Sequence, residues 1–199
     1  VDYAVASTSS HFASAERQFR LPLEYGGQRP PSAQRTATAS GASVIAENKE
    51  NTPCIEAVTF GKIMDLGIKD ANNMGAAMAP AAADTIGSFL NDTHTSPSDY
   101  DLFLTGDLGS VGTELLIDLL KKDYGYDIST VHGDCGLMIY DVEAQDVHAG
   151  GSGCGCSGSV VNSYIMRQLK EKTLKRVFFV GTGALLSPTS SMQGESIPS

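Results

Sequence analysis

The sequence predicts an α/β protein in which strands alternate with helices in stacked layers. Two observations carry this. Short apolar runs such as "LFLT" and "VFFV" lie between Gly- and Asp-bearing turns, as buried strands do. Between them lie stretches with helical spacing, clearest in "SVGTELLIDLLKK", where Leu115, Leu116, Leu119 and Leu120 fall on one stripe. The composition agrees: 199 residues, 41% hydrophobic and 19% charged, can fill a sizeable core.

Taken in order, residues 2–7 read as a short buried strand that ends in the polar cluster "STSSH". Residues 12–31, mixing Arg, aromatics, Gly and Pro, predict a turn of helix and a long loop. Residues 38–46, "TASGASVIA", lead into a second strand. "ENKENTP" is a polar connector and marks a boundary near residue 50. Residues 54–60 alternate like a strand, and a loop follows at "GKIMDLGIKDANN". Residues 76–90 are Ala-rich and helical, with Pro80 in or near the first turn. Residues 102–105 form a strand and residues 111–122 a helix. Two further strands are expected at 137–140 and 147–149. A helix over 158–172 then buries Val161, Tyr164, Ile165 and Leu169, and "RVFFV" closes the pattern as a strand. The chain opens without Met inside an alternating apolar stretch, which reads as a piece whose upstream part is not included.

The totals exclude several classes. A net charge of −9 disfavours nucleic acid, because phosphate neutralisation needs clustered Lys and Arg. The densest basic run, "RQLKEKTLKR", reads as the solvated face of a helix. No run is long enough to span a membrane, and no signal peptide is visible. Four cysteines, at 54, 135, 154 and 156, are too few and too unevenly spaced for a disulfide framework, which points to a reducing compartment.

Four motifs invite chemistry. "GGSGCGCSG" at 150–158 offers two thiolates, but zinc needs about four ligands. A redox pair usually has two residues between its cysteines. A phosphate cradle would add the Lys and Ser/Thr that this turn lacks. Close packing is the preferred reading, with glycines permitting the turn and Cys154 and Cys156 buried as small apolar residues. In "FLTGDLGSVG", Asp107 stands where a strand gives way to a loop, a position where ligands and catalysts collect. It reads equally as a capping or turn Asp. "TVHGDCGLMIYD" crowds His132, Asp134 and Cys135 into four residues, as a nucleophile site or as structure. "STSSH" adds Ser7, Ser9 and His11 as a polar strand end.

Together, "ASTSSHFASAERQFR", "MGAAMAPAAADTI", "YDLFLTGDLGSVG", "HGDCGLMIYD", "AGGSGCGCSG" and "VFFVGTGALLSPTS" resemble the stage V sporulation protein AD family of spore-forming bacteria. That family in turn is similar to the thiolase and ketoacyl-synthase superfamily. The resemblance implies a thiolase-like αβαβα fold, with residues 1–48 the C-terminal part of the first half and 49–199 the second half. It places the synthase nucleophile upstream of residue 1, the synthase His on Gly106, and the synthase Asn on Asp134. Gly106 has no group to polarise a thioester, and an Asp opposes an oxyanion. The expectation is therefore a protein that is not an enzyme; a residual acyl-transferase is the alternative.

The resemblance further implies that the protein binds dipicolinic acid, pyridine-2,6-dicarboxylate, and supports its uptake into the developing spore. Its expected partners are membrane-embedded proteins of the same sporulation system, with a homodimer as in thiolase-like folds. Its expected location is the spore or forespore, peripheral to the inner membrane. The candidate ligand-binding residues are Ser7, Ser9, His11, Asp107, His132, Asp134 and Cys135. No cofactor is expected. Whether Ca²⁺ accompanies the dianion, or amides and hydroxyls of "STSSH" and the Gly turns hold it, stays open.

Overall fold

The computed structural model describes residues 2–12, 29–47 and 52–199. The expected loop over 12–31 and the boundary near residue 50 lie largely outside these residues.

The central sheet has three parallel strands in the order β5–β4–β7: His132–Asp134, Leu102–Thr105 and Val177–Val180. Phe103 pairs with His132 and Phe178, and Thr105 with Asp134 and Val180. Strand alternation divides the core at this sheet. Phe103, Phe178 and Val180 face one side and join Phe89, Tyr100, Leu108, Leu116 and Leu120. Leu104 faces the other and joins Ala37, Cys135, Cys156, Val160 and Ile165.

On the first side lie α1 (Met74–Thr93) and α2 (Gly109–Leu119), packed on each other. The Asn73 carboxamide starts α1 by accepting from the Ala76 N–H at 3.2 Å. The helix stops at His94, whose left-handed φ of 55° turns the chain out. Pro80 sits inside α1, in its second turn. Helix α2 continues as a π turn over Leu120–Tyr124 to Gly125, at φ 75°.

On the second side one helical rod runs from Cys154 to Glu171. It comprises α4 (Cys154–Val160), a π turn (Val161–Ile165) and α5 (Met166–Glu171). Beyond it lies an antiparallel pair, β1 (Tyr3–Ser10) with β3 (Ala39–Ala46), in register from Tyr3↔Ala46 to Ser10↔Ala39. Strand β1 is exposed along Tyr3–Ser9, not buried as its apolar residues predict, and only its last residue, Ser10, is covered where the rod begins. A short parallel bridge joins β2 (Arg35–Thr36) to β6 (Gly151–Ser152). The succession is helices, sheet, helix, sheet. The mixed α/β class expected from the alternation is what is observed.

Several boundaries differ from expectation. Residues 54–60 pair with no strand among the described residues, and Ile55, Val58 and Phe60 are exposed. Alternation alone does not make a strand when the backbone has no ladder partner. Residues 137–140 are not a strand: they belong to α3 (Cys135–Met138) and the turn after it. A four-residue apolar run fits either period, and Asp134 in extended geometry opens a helical turn here. Residues 147–149 form a turn through His148, at φ 49°, and the strand falls two residues later at β6. The rod starts at Cys154, four residues earlier than expected. Cys154, in its first turn, is exposed, whereas Cys156 is buried; neither is bridged. Tyr164 and Leu115 also face outward, at the edges of their helical stripes.

Candidate functional site

The site is built where β4 and β5 end. Thr105, the last residue of β4, is fully buried. Its hydroxyl donates to Asp134 Oδ2 at 2.7 Å and lies 3.1 Å from His132 Nε2. One hydroxyl carries one proton, so His132 is the Nε2–H tautomer, donating to Thr105, which donates to Asp134. Burial lowers the His132 pKa to about 4, which keeps the ring neutral.

Asp134 is 2% exposed. Besides Thr105 it accepts the N–H of Leu108 at 2.8 Å and of Gly109 at 3.0 Å. These are the first N–H groups of α2, which have no partner within the helix. Burial raises the Asp134 pKa, and the Thr105, Gly109 and Leu108 donors pull it back. The carboxylate thus serves as the N-terminal counter-charge of α2, supplied from the neighbouring strand.

Asp107 makes a second such clamp. Its Oδ2 accepts the Gly153 N–H at 3.0 Å, at the start of the rod, and its Oδ1 accepts the Thr182 hydroxyl at 2.8 Å. The Asp107 N–H returns to Thr182 Oγ1 at 2.9 Å, and the Gln34 amide donates to the Asp107 carbonyl. Beside it, a β-carbon at Gly106 would stand 2.5 Å from Thr182 Oγ1 and 3.0 Å from the Thr182 nitrogen. As folded, this position has no room for a histidine.

Cys135 is buried, and burial pushes its thiol well above the ordinary range, with Asp134 adding to the effect. It is a protonated core thiol, the opposite of an activated nucleophile. Among the described residues no group of three or more His, Cys, Asp or Glu is arranged to hold a metal.

The structure brings Asp107, His132, Asp134 and Cys135 to one strand end. Ser7 and Ser9 do not join them. They are exposed on the face of β1 opposite Ser10, and His11 is exposed beyond the strand. The serine that does reach the region is Ser10, which was not singled out. Its buried hydroxyl donates to the Ala37 carbonyl at 2.6 Å and accepts the Gly155 N–H at 3.0 Å. Its signal was the two-residue phase: Ser10 shares a face with Thr8, and the rod packs on that face.

The glycine-rich turn is explained by this packing. A β-carbon at Gly155 would lie 2.0 Å from the Ala39 carbonyl oxygen, and one at Gly158 would lie 2.2 Å from Thr8 Oγ1. The rod rests directly on the β1–β3 pair, and only glycine allows that approach.

Comparison with known proteins agrees with these motifs. The family described as stage V sporulation protein AD (SpoVAD) matches over residues 1–199. The chain is 55% identical, over 195 residues, to the stage V sporulation protein AD of Bacillus subtilis (strain 168). The match covers 98% of this chain and 57% of that relative, so the chain spans a little over half of the relative's length. The chain therefore belongs to the stage V sporulation protein AD family.

Proposed function

We propose that this chain is part of a non-catalytic, thiolase-like sporulation protein that binds dipicolinic acid and supports its uptake into the developing spore. The observation that carries the non-catalytic reading is the strand end. Gly106 is packed against Thr182, Asp134 is fully engaged with protein donors, and Cys135 is a protonated buried thiol. Acyl transfer needs an activated nucleophile and donors aimed at a developing oxyanion. Here the carboxylates organise two helix N-termini instead. The succession of helices, sheet, helix and sheet fits part of a five-layer αβαβα arrangement.

Membership of the stage V sporulation protein AD family supports dipicolinate as the ligand in this reading. The protein's partners in this reading are membrane-embedded proteins of the sporulation system and a second copy of itself. No helix among the described residues is long and apolar enough to cross a membrane, which is compatible with a peripheral subunit at the forespore inner membrane.

Equilibrium dialysis of the full-length protein with dipicolinate, with and without Ca²⁺, tests the reading. Saturable binding in either condition supports it, and Ca²⁺ dependence would identify a cation bridge. Absence of binding in both conditions removes it.

A further inference from the structure

We propose that the cavity between β7 and residues 52–62 is a strand position of the central sheet, filled in the full-length protein by the residues that follow Ser199. The inference is independent of the ligand reading.

The cavity continues the sheet layer. Its floor includes Met78, Ala82 and Thr85 of α1 and its roof Leu169 and Lys170 of the rod, the two layers that also cover β4. At about 850 Å³ it is far larger than a packing void. Strand β7 pairs with β4 alone among the described residues, so alternate N–H and C=O groups on its other edge face the cavity. On the far side, residues 54–60 alternate like a strand and have no ladder partner. No backbone hydrogen bond joins these two walls among the described residues; the Arg176–Glu56 ion pair, at 3.3 Å, reaches across instead. The basic lining does not make an anion site. Lys62 is held by Asp84 at 2.8 Å, and the Arg176 guanidinium, besides pairing with Glu56, lies over the Tyr100 ring.

The occupant is set by a ladder already begun. Met64 and Ser199 exchange both backbone hydrogen bonds, at 2.7 and 2.9 Å, and the Ile197 N–H donates to the Ile68 carbonyl at 2.7 Å. Such an exchange marks an antiparallel hydrogen-bonded pair. Residues 197–199 therefore travel past residues 68 to 64, toward residues 62 to 54 and the cavity, which Ser199 lines. Length is available, since the match covers 57% of the relative. Gly181 and Gly183, also in the lining, fit a backbone that passes closely. A β-carbon on either meets nothing within 4 Å, and neither has a positive φ, so the described residues give no reason for glycine there.

Continuing the Met64–Ser199 register, the fifth residue after Ser199 opposes Thr59 in a non-hydrogen-bonded pair, the closer of the two kinds. The test is oxidative cross-linking of the full-length protein carrying Thr59→Cys and a cysteine at that fifth position. An intramolecular disulfide is expected, located by peptide mass mapping. Moving the second cysteine to the sixth position, whose side chain leaves by the other face, should abolish it. Hydrogen exchange on the unsubstituted full-length protein gives a second readout, and all the Val177–Val180 amides should be protected. Rapid exchange of alternate β7 amides, or a disulfide that prefers the sixth position, overturns the proposal. A disulfide between two molecules would assign the cavity to a second copy, and protected β7 amides without the fifth-position disulfide would assign it to another segment; either result also overturns it.

Discussion

Replacing Asp134 tests whether its carboxylate is architecture. In Asp134→Ala the N–H groups of Leu108 and Gly109 and the Thr105 hydroxyl all lose their acceptor. The residue is 2% exposed, so water can replace the carboxylate only within the small void left behind. Each orphaned buried donor costs about 1–3 kcal/mol. The donors at the start of α2 can relax partly, so a total of about 3–5 kcal/mol is expected, at the upper end for single substitutions. Asp134→Asn keeps one oxygen but points an amide N–H₂ at existing donors, and about 2 kcal/mol is expected. Urea unfolding followed by circular dichroism measures both. The alanine variant should lower the midpoint by more than about 1 M with an unchanged slope. A loss below about 1 kcal/mol for alanine would refute the clamp and return Asp134 to the candidates for ligand contact.

Other expectations follow from the same geometry. His132 is neutral in the fold because burial lowers its pKa from 6.5 to about 4. The unfolded chain therefore binds its proton first on acidification. The stability it contributes is complete above about pH 6.5 and falls away down to about pH 4, by at most about 3 kcal/mol. The slope should vanish in His132→Gln, and a ring titrating near 6.5 by NMR would contradict the account. Gly155→Ala sets a methyl group 2.0 Å from the Ala39 carbonyl oxygen, so the rod must lift from β3. A loss of about 3 kcal/mol or more is expected from thermal unfolding, and a neutral substitution would show that the contact is looser than described. Thiol labelling should separate the cysteines. Cys54 and Cys154 should react in the native protein, and Cys135 and Cys156 only after unfolding. Fast native labelling of Cys135 would place it in an open cleft.

Much of the layering was legible because strong local patterns agreed with the fold. Leu102–Thr105 is a strand over the residues expected, since its four-residue apolar run is bounded by turns and buried on both faces. The helix over 76–90 is legible from its Ala-rich composition and that over 111–122 from its leucine stripe, and only their ends differ. What failed was what depends on partners distant in sequence. Residues 54–60 alternate correctly but find no strand to pair with. Residues 137–140 are too short for their period to decide. The chemistry at the strand end showed the same limit. His132, Asp134 and Cys135 were visible as a cluster, but not that Asp134 faces the start of α2, which lies 25 residues earlier in the chain. The basic cavity was hidden differently. "RQLKEKTLKR" reads as one solvated helical face, but the helix ends at Lys172, with φ 60°, and the chain then turns into β7. That turn carries Lys175 and Arg176 to the cavity beside Lys62, more than a hundred residues away.

The central claim is that this family member holds dipicolinate without transforming it. The most direct measurement is calorimetric titration of the full-length protein with dipicolinate, followed by recovery and chromatography of the ligand. The account predicts saturable binding near one ligand per chain, with the dipicolinate recovered unchanged and no thioester hydrolysis when an acyl thioester is supplied. Absence of saturable dipicolinate binding, or turnover of the thioester by the same preparation, would contradict it.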